Sequence, residues 1–582
     1  MAEQNLEAKL KKLLKQDKIQ LWKEPYTDEQ QRAGSGHMQE LAERYGAMLR
    51  LSGSEVAGAL ELIRVQALKR GQRNHTFRET DVATLELLLP RGCGKDGKSR
   101  MFMESRLDVC AQELMDRIAR EVGLKSFKVI LNGKTLNAGL RLDRQGVGNH
   151  SKMMVLKVSS VAAAQSARHD ADDASPSTSR DHSVQRTHRG FQILSERDGT
   201  EDPETAPFLE VADQKGNPLT IPREEKKALI LAMGLHEKGR ALMKRKLYDD
   251  ALCHLLQADL HFSRCGSGLL GAVDNYGVLQ LDVVWCYRAL EALSCLEDGR
   301  ERLRRAEDCF LRCYGERRQR LLSIKGSSGR EEALFLRLHL LRSLLAFVDG
   351  DDPQARQQLD RAESLYAGLC PDADKMTELM LLGFSEREAR LGLRACGGDL
   401  HEASMLIANQ RQEREELRRR EREKRQRTEA GLAILKEAGY APRAAAAALR
   451  RADGDVERAF RILLDASQTI ATPDTGEKVS QLLYLGFERS AAEAALALTG
   501  GDIHSATELL MDNGGSVPSA TTPPSEEEEP GASSGSTDES ELVNEVLEDI
   551  PSHEDDYLDL TLEEELLLIN TIKTHLERTP AQ

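Results

Sequence analysis

The chain has 582 residues, room for several domains at roughly 100 to 200 residues each. Charged side chains make up 30%, aromatic ones only 4%, and the mean hydropathy is -0.49, which favours small helical modules and solvated linkers over one large aromatic-rich enzyme core. A formal charge of -15 argues against general nucleic-acid binding.

The N-terminus, MAEQNLEAKLKKLLKQDK, lacks the apolar centre of a signal peptide, and no later apolar run reaches the roughly 18 residues that span a bilayer. The expected compartments are cytoplasm and nucleus. The ten cysteines fit there as free thiols, because no CxxC pair or usual zinc spacing exists, so a zinc-scaffolded ligase is not expected. Cys309 and Cys313 stand one helical turn apart, which reads either as two buried helix residues or as two ligands on one face. No metal and no cofactor is expected.

Residues 1–80 carry apolar residues at helical spacing and are assigned as an N-terminal helical region without a function. From Asp81 the pattern changes: VATLELLLP and RMFMESR read as strands around a Gly-rich turn, LDVCAQELMDRIAREVGL as an amphipathic helix, and FKVILNG and MMVLKV as further strands. This order over residues 81–158, with the LNGK turn around Gly133, resembles the ubiquitin-like β-grasp fold. By that resemblance Ile130, Met154 and Leu156 fall on the family's apolar recognition patch, the expected proteasome-docking surface. The alternative is that they only cover the sheet. The segment runs on into VSSVAAAQS without a terminal Gly-Gly, so it acts in cis and is not processed into a tag.

Residues 159–222, rich in Ser, Ala, Asp and Arg, read as a linker, partly disordered. Residues 223–370 are helical again. Gly239, Ala251, Leu255 and Ala258 share their spacing with Ser294, Ala306, Phe310 and Cys313 and with Ser343, Ala355, Leu359 and Ala362, and the small residues resemble tetratricopeptide helical hairpins.

Three segments, 374–411, 429–467 and 476–514, repeat one pattern. A Gly-aromatic pair (Gly383–Phe384, Gly439–Tyr440, Gly486–Phe487) is followed at +15 and +16 by Gly-Asp, at +20 by alanine and at +23 and +24 by an apolar pair. The first glycine ends a helix with φ > 0, the second ends another, and the aspartate caps a third. These roles account for Gly398, Asp399 and their counterparts without any binding function. The pattern resembles the ubiquitin-associated (UBA) domain. The resemblance implies a modifier-binding surface of Leu382, Gly383, Phe384, Leu406 and Ile407 in the first module, and of Ala438, Gly439, Tyr440, Ile462 and Leu463 in the second. In the third it implies Leu485, Gly486, Phe487, Leu509 and Leu510. None has the family's methionine before the glycine, and Ala438 departs furthest. Each module alone binds weakly, but tethering adds a factor of about 10² or more in avidity.

Residues 412–428 form a charged bridge with i,i+4 pairs such as Glu416 with Arg420. It reads both as a solvated helix and, through Arg418, Arg419, Arg420, Arg422, Lys424, Arg425 and Arg427, as a nuclear-import signal. Residues 515–540 read as disordered, and 541–582 form an acidic amphipathic tail that folds either on a partner's basic, apolar surface or back on the body.

The fold class is therefore mainly α and multidomain: one ubiquitin-like domain, tetratricopeptide-like hairpins and three small three-helix UBA-like bundles. No Cys, His and Asp or Asn context of a protease is present, so an enzyme is not expected. The whole arrangement resembles the ultimate-buster family of neddylation adaptors. That resemblance implies binding of the neddylation modifier, partly through the tail. It also implies binding of an interferon-inducible ubiquitin-like modifier, with ubiquitin as a further partner, and delivery to the proteasome. The alternative is a general polyubiquitin shuttle without preference for the neddylation modifier.

Overall fold

The computed structural model describes residues 1–90, 93, 99–124, 127–157, 181–196, 221–266, 270, 274–292, 297–315, 331–440, 442–452, 454–470, 473–485, 487, 492, 495–496, 503–512, 542–547 and 558–577. By contacts the chain divides into two units, one of Met1–Glu196, Phe208–Ala408 and Asp538–Gln582, the other of Arg197–Pro207 and Asn409–Thr537. Ser294, Gly486, Gly501, Asp502, Tyr557 and the stretch 513–541 lie outside the described residues.

The first unit opens with helices α1 (Ala2–Gln16), α2 (Ser35–Leu49) and α3 (Gly53–Thr80). Leu10, Leu41, Tyr45, Val56 and Leu60 close their core. Ser52 and Glu55 cap α3 reciprocally, satisfying two backbone donors that a helix start leaves open.

Strands β1 (Val82–Leu88), β2 (Arg100–Arg106), β3 (Phe127–Leu131), β4 (Lys134–Thr135) and β5 (Lys152–Lys157) form one sheet in the order β2-β1-β5-β3-β4. β1 is antiparallel to β2 and parallel to β5, and β3 runs antiparallel to β5 with Val129 opposite Val155. Helix α4 (Ala111–Val122) buries Leu114 and Ile118 in the core it shares with the sheet and ends at Gly123, whose φ of +72° suits glycine. This is a β-grasp domain.

The helical body contains α5 (Asp181–Glu196), α6 (Arg223–Lys244), α7 (Tyr248–Phe262), α8 (Asn275–Ala289), α9 (Asp298–Tyr314), α10 (Glu332–Val348) and α11 (Asp352–Leu369). Consecutive pairs pack as hairpins. A Cβ on Gly239 would stand 2.6 Å from Leu255, and the Ser343 hydroxyl donates to the Ala355 carbonyl at 2.8 Å, so small residues set both close approaches. In the middle hairpin that role falls to Gly277, where a Cβ would meet Phe310 at 2.8 Å. Ser294, expected there, lies outside the described residues. Cys309 and Cys313 are buried with their sulfurs 4.0 Å apart. Polar contacts fasten α1 to the body, among them Lys9 paired with Asp352 at 2.5 Å and the Asn5 amide donating to the Phe347 carbonyl at 2.6 Å.

Helix α5 corrects the reading of residues 159–222 as linker. Val184, Thr187, Phe191 and Leu194 recur every three or four residues and are buried, with Phe191 lying so close to Gly234 that a Cβ there would approach its ring to 2.4 Å.

Helices α12 (Ala373–Leu381), α13 (Glu386–Ala395) and α14 (Leu400–Glu437) follow, then α15 (Pro442–Arg451), α16 (Val456–Ile470), α17 (Pro473–Tyr484) and α18 (Ile503–Asp512). The charged bridge is not a separate element: α14 runs unbroken from the first module through it into the second. The tail returns to the first unit. Val543 and Val546 pack with Phe191, Leu194, Ile230 and Leu231, and α19 (Glu563–Glu577) lays Leu568, Ile569, Ile572 and Leu576 into the apolar core of the body, on α10 and α11. Of the two readings of the tail, the structure shows the one in which it folds back. Among the described residues no helix is long and apolar enough to cross a membrane.

Candidate functional site

The first repeated module shows how its loop is built. Asp372 caps α12 by accepting from Asp374 and Lys375, and Ser385 and Glu388 cap α13 reciprocally. Between them Gly383 holds φ +88°, a left-handed turn that an L side chain adopts only at a cost. Asp399 caps α14 by accepting from the Glu402 N–H at 2.8 Å. Held this way, the loop leaves Leu381 82% and Leu382 64% exposed, while Phe384 turns half inward against Leu379 and Ala389.

The second module repeats this geometry. Gly439 also holds φ +88°, Tyr440 packs edge-on against Phe460 with centroids 5.7 Å apart, and Asp455 accepts from Glu457 and Arg458 to cap α16. Ala438 is exposed. In the third module Phe487 packs against the core of Leu482, Ala495, Ala506 and Leu510, with Leu485 and Tyr484 exposed. Gly486 and the side chain of Leu509 lie outside the described residues.

The closing apolar pair does not face one way. Ile407, Leu463 and Leu510, expected on the binding surface, are core residues in their modules. The reason is helical periodicity: +24 lies one turn beyond the buried alanine at +20 and shares its face. Leu406 and Ile462 flank that face half-buried. One position further on, at +25, Leu464 and Met511 are exposed, and in the first module Met405 is exposed at +22. These three, with Leu381 and Tyr484, are surface candidates that reading the pair as a unit missed.

On the bridge, Arg418, Arg419, Arg420, Arg422 and Arg427 are exposed, with Arg420 3.8 Å from Glu416 and Arg427 3.7 Å from Glu423. The side chains of Lys424 and Arg425 lie outside the described residues.

The patch on the ubiquitin-like domain is closed, which corrects its reading as an open docking surface. Successive residues of a strand face opposite sides, and here both sides are buried. Met153 and Val155 enter the domain's own core with Val129 and Leu131, whereas Ile130, Met154 and Leu156 join the core of the helical body. A cavity of about 250 Å³ remains at this seam, lined among others by Met154, Lys157, Tyr248, Asp249 and Leu290. Burial beside Asp250 raises the Asp249 carboxyl to about 6, with Lys157 opposing.

The tail makes a cluster of polar contacts with the body. Glu564 accepts from the Tyr248 hydroxyl at 2.7 Å, Arg288 at 2.8 Å and the Trp285 indole at 3.2 Å. Burial works against its charge, but these hydrogen bonds prevail and hold its carboxyl below the ordinary range. Glu565 pairs with Arg337 at 2.7 Å, and Arg337 and Arg288 both lie over the Trp285 ring. Asp559 pairs with Arg390 of α13 at 2.6 Å, and Arg394 donates to the Leu560 carbonyl at 2.8 Å. The first module is thus held through α13.

A ubiquitin-like domain on a helical body, followed by glycine-loop three-helix modules, defines a protein that binds ubiquitin-like modifiers. Residues 82–158 match the NUB1 ubiquitin-like domain family, residues 371–406 and 477–510 the UBA/TS-N domain family, and residues 6–76 the SASH1 homeodomain-like domain. The matched families that carry this reading are binding modules, not catalytic ones. NEDD8 ultimate buster 1 of Homo sapiens is 42% identical over 603 aligned positions, covering 98% of this chain and 98% of the relative, and the Mus musculus protein of that name gives the same figures. The chain belongs to the NEDD8 ultimate buster 1 family. No solved structure matches it.

Proposed function

We propose that this chain is a non-catalytic adaptor. It captures the neddylation modifier, an interferon-inducible ubiquitin-like modifier and their conjugates through its UBA-like modules, and brings them to the proteasome through its ubiquitin-like domain. The observation that carries the reading is the exposed apolar loop at the positive-φ glycine of the first module, Leu381 and Leu382 beside Gly383. The same positive-φ glycine turn in the second module, the exposed Tyr484 and Leu485 of the third and the NEDD8-directed name of the relatives support it. Such loops offer shallow apolar contacts too small for tight single-site binding, so tethered modules favour chains or multiply modified targets.

Delivery requires a second step. Because Ile130, Met154 and Leu156 are buried against the body, the ubiquitin-like domain must leave its seat before it presents them. The exposed arginines of the bridge support entry into the nucleus as well as residence in the cytoplasm.

The test is a pull-down of modifiers and proteasome with Phe384, Tyr440 and Phe487 changed to Ala, singly and together. Graded loss of modifier with unchanged proteasome is expected. Full retention of modifier by the triple variant would overturn the reading, and equal titrations with ubiquitin and the neddylation modifier would select a general polyubiquitin shuttle.

A further inference from the structure

The groove that holds the tail is built to recognise a chemistry rather than merely to store a chain end. Its floor is the buried Trp285, with the Arg288 and Arg337 guanidinium groups 4.0 and 4.5 Å from the ring centroid. Arg337 also reaches Asp282 at 3.5 Å, but Asp282 is shared with the His236 ring at 3.0 Å and the Arg240 guanidinium at 3.6 Å, so this carboxylate is divided among several partners. Glu564 and Glu565 supply the missing negative charge. Beyond them Leu568, Ile569, Ile572 and Leu576 fill an apolar trough, and Arg356 donates to the Leu576 carbonyl.

An empty groove would strand partly buried arginines without their anions, which is strongly unfavourable. The resident helix is therefore expected to leave by exchange and not by simple opening. The tail offers a handle for such exchange, because Leu567 is 66% exposed and Leu566 is also on the surface while the groove is filled.

We propose that this groove is an exchange site for a partner protein's amphipathic helix bearing two adjacent carboxylates ahead of an aliphatic face, with the chain's own tail as the resident competitor. The argument is charge complementarity and the chemistry of the segment seated there. It does not depend on which modifier the UBA-like modules bind.

A labelled synthetic peptide of residues 556–580 is titrated by fluorescence anisotropy into full-length wild type and into a full-length Leu568→Ala/Ile572→Ala variant, whose groove is untouched. The variant should bind at least about tenfold tighter than wild type. A designed peptide sharing only the paired glutamates and the four apolar positions should compete, and a peptide carrying Glu564→Lys and Glu565→Lys should not. To guard against misfolding of the variant, a protease site placed between residues 520 and 530 lets the wild-type tail be cut in the purified protein, after which excess peptide should displace it on size exclusion. Failure to displace the cut tail, or equal competition by the charge-reversed peptide, overturns the proposal. Exchange of tails between two copies without capture of the designed peptide assigns the groove to a second copy and also overturns it.

Discussion

Tyr248 and Glu564 lie 316 positions apart in the chain, yet the tyrosine hydroxyl donates to the carboxylate at 2.7 Å. The next residue, Asp249, lines the seam with Met154 and Lys157 of the ubiquitin-like domain. The first turn of α7 thus touches both the tail and the seat of the β-grasp domain, so a disturbance of one contact is felt directly beside the other.

Glu564→Gln keeps the shape of the side chain but removes the charge that Arg288 and Tyr248 solvate. Loss of a partly buried charged hydrogen-bond acceptor costs about 1–3 kcal/mol. Hydrogen exchange across Glu563–Glu577 should accelerate roughly 5- to 100-fold, with the cores of the UBA-like modules unchanged. Unaltered exchange in that helix would show that Glu564 does not hold the tail.

The closed patch can be opened from either side. Leu290→Glu puts a carboxylate at the seam near Asp249 and should free the ubiquitin-like domain with its patch intact, raising capture by purified proteasome severalfold. Leu156→Glu also opens the seam but spoils the patch, so capture should not rise. The ubiquitin-like domain should stay folded in both, because Leu156 points away from the core formed by Met153, Val155 and Val129. Equal capture by wild type and Leu290→Glu would mean that the seat does not limit docking.

Asp249 gives that seat a pH dependence. Its carboxyl is raised to about 6 by burial at the seam, with Asp250 adding and Lys157 opposing, whereas a solvated aspartate titrates near about 4. Seating therefore takes up a proton between roughly pH 4 and 6, so the seat strengthens as pH falls through that window and is weaker at neutral pH. Exchange protection of Lys152–Lys157, corrected for intrinsic rates, should be greater at pH 5 than at pH 7, and Asp249→Asn should flatten the difference. A wild-type profile already flat would remove Asp249 from the seat.

What could be read in the sequence was whatever local periodicity and backbone chemistry encode. The order of strands and helix with the LNGK turn marked the β-grasp domain, and the Gly and Asp spacings marked the modules, because helix ends have strict conformational and capping needs. Helix α5 escaped because three apolar residues and a threonine in a polar stretch give a weak pattern, and Phe191 acquires its meaning only against Gly234 of another helix. The covering of Met154 and Leu156 was equally hidden. It depends on complementarity between β5 and α7, segments that share no local pattern.

The modules offer the sharpest separation between folding and binding. Ile407 is buried against Gly392, where a Cβ would stand 2.7 Å from it, so Ile407→Ala should cost about 2–5 kcal/mol and unfold so small a bundle. Leu381 and Met511 are 82% and 71% exposed, so changing each to Ser should leave helicity and melting within about 0.5 kcal/mol of wild type. Both changes should nevertheless weaken modifier binding severalfold, as seen in the chemical-shift response of the folded modules to added modifier. Should Leu381→Ser and Met511→Ser bind as wild type does while Leu406→Ser and Ile462→Ser do not, the contact surface would lie on the half-buried flank of the third helix and not at its exposed end.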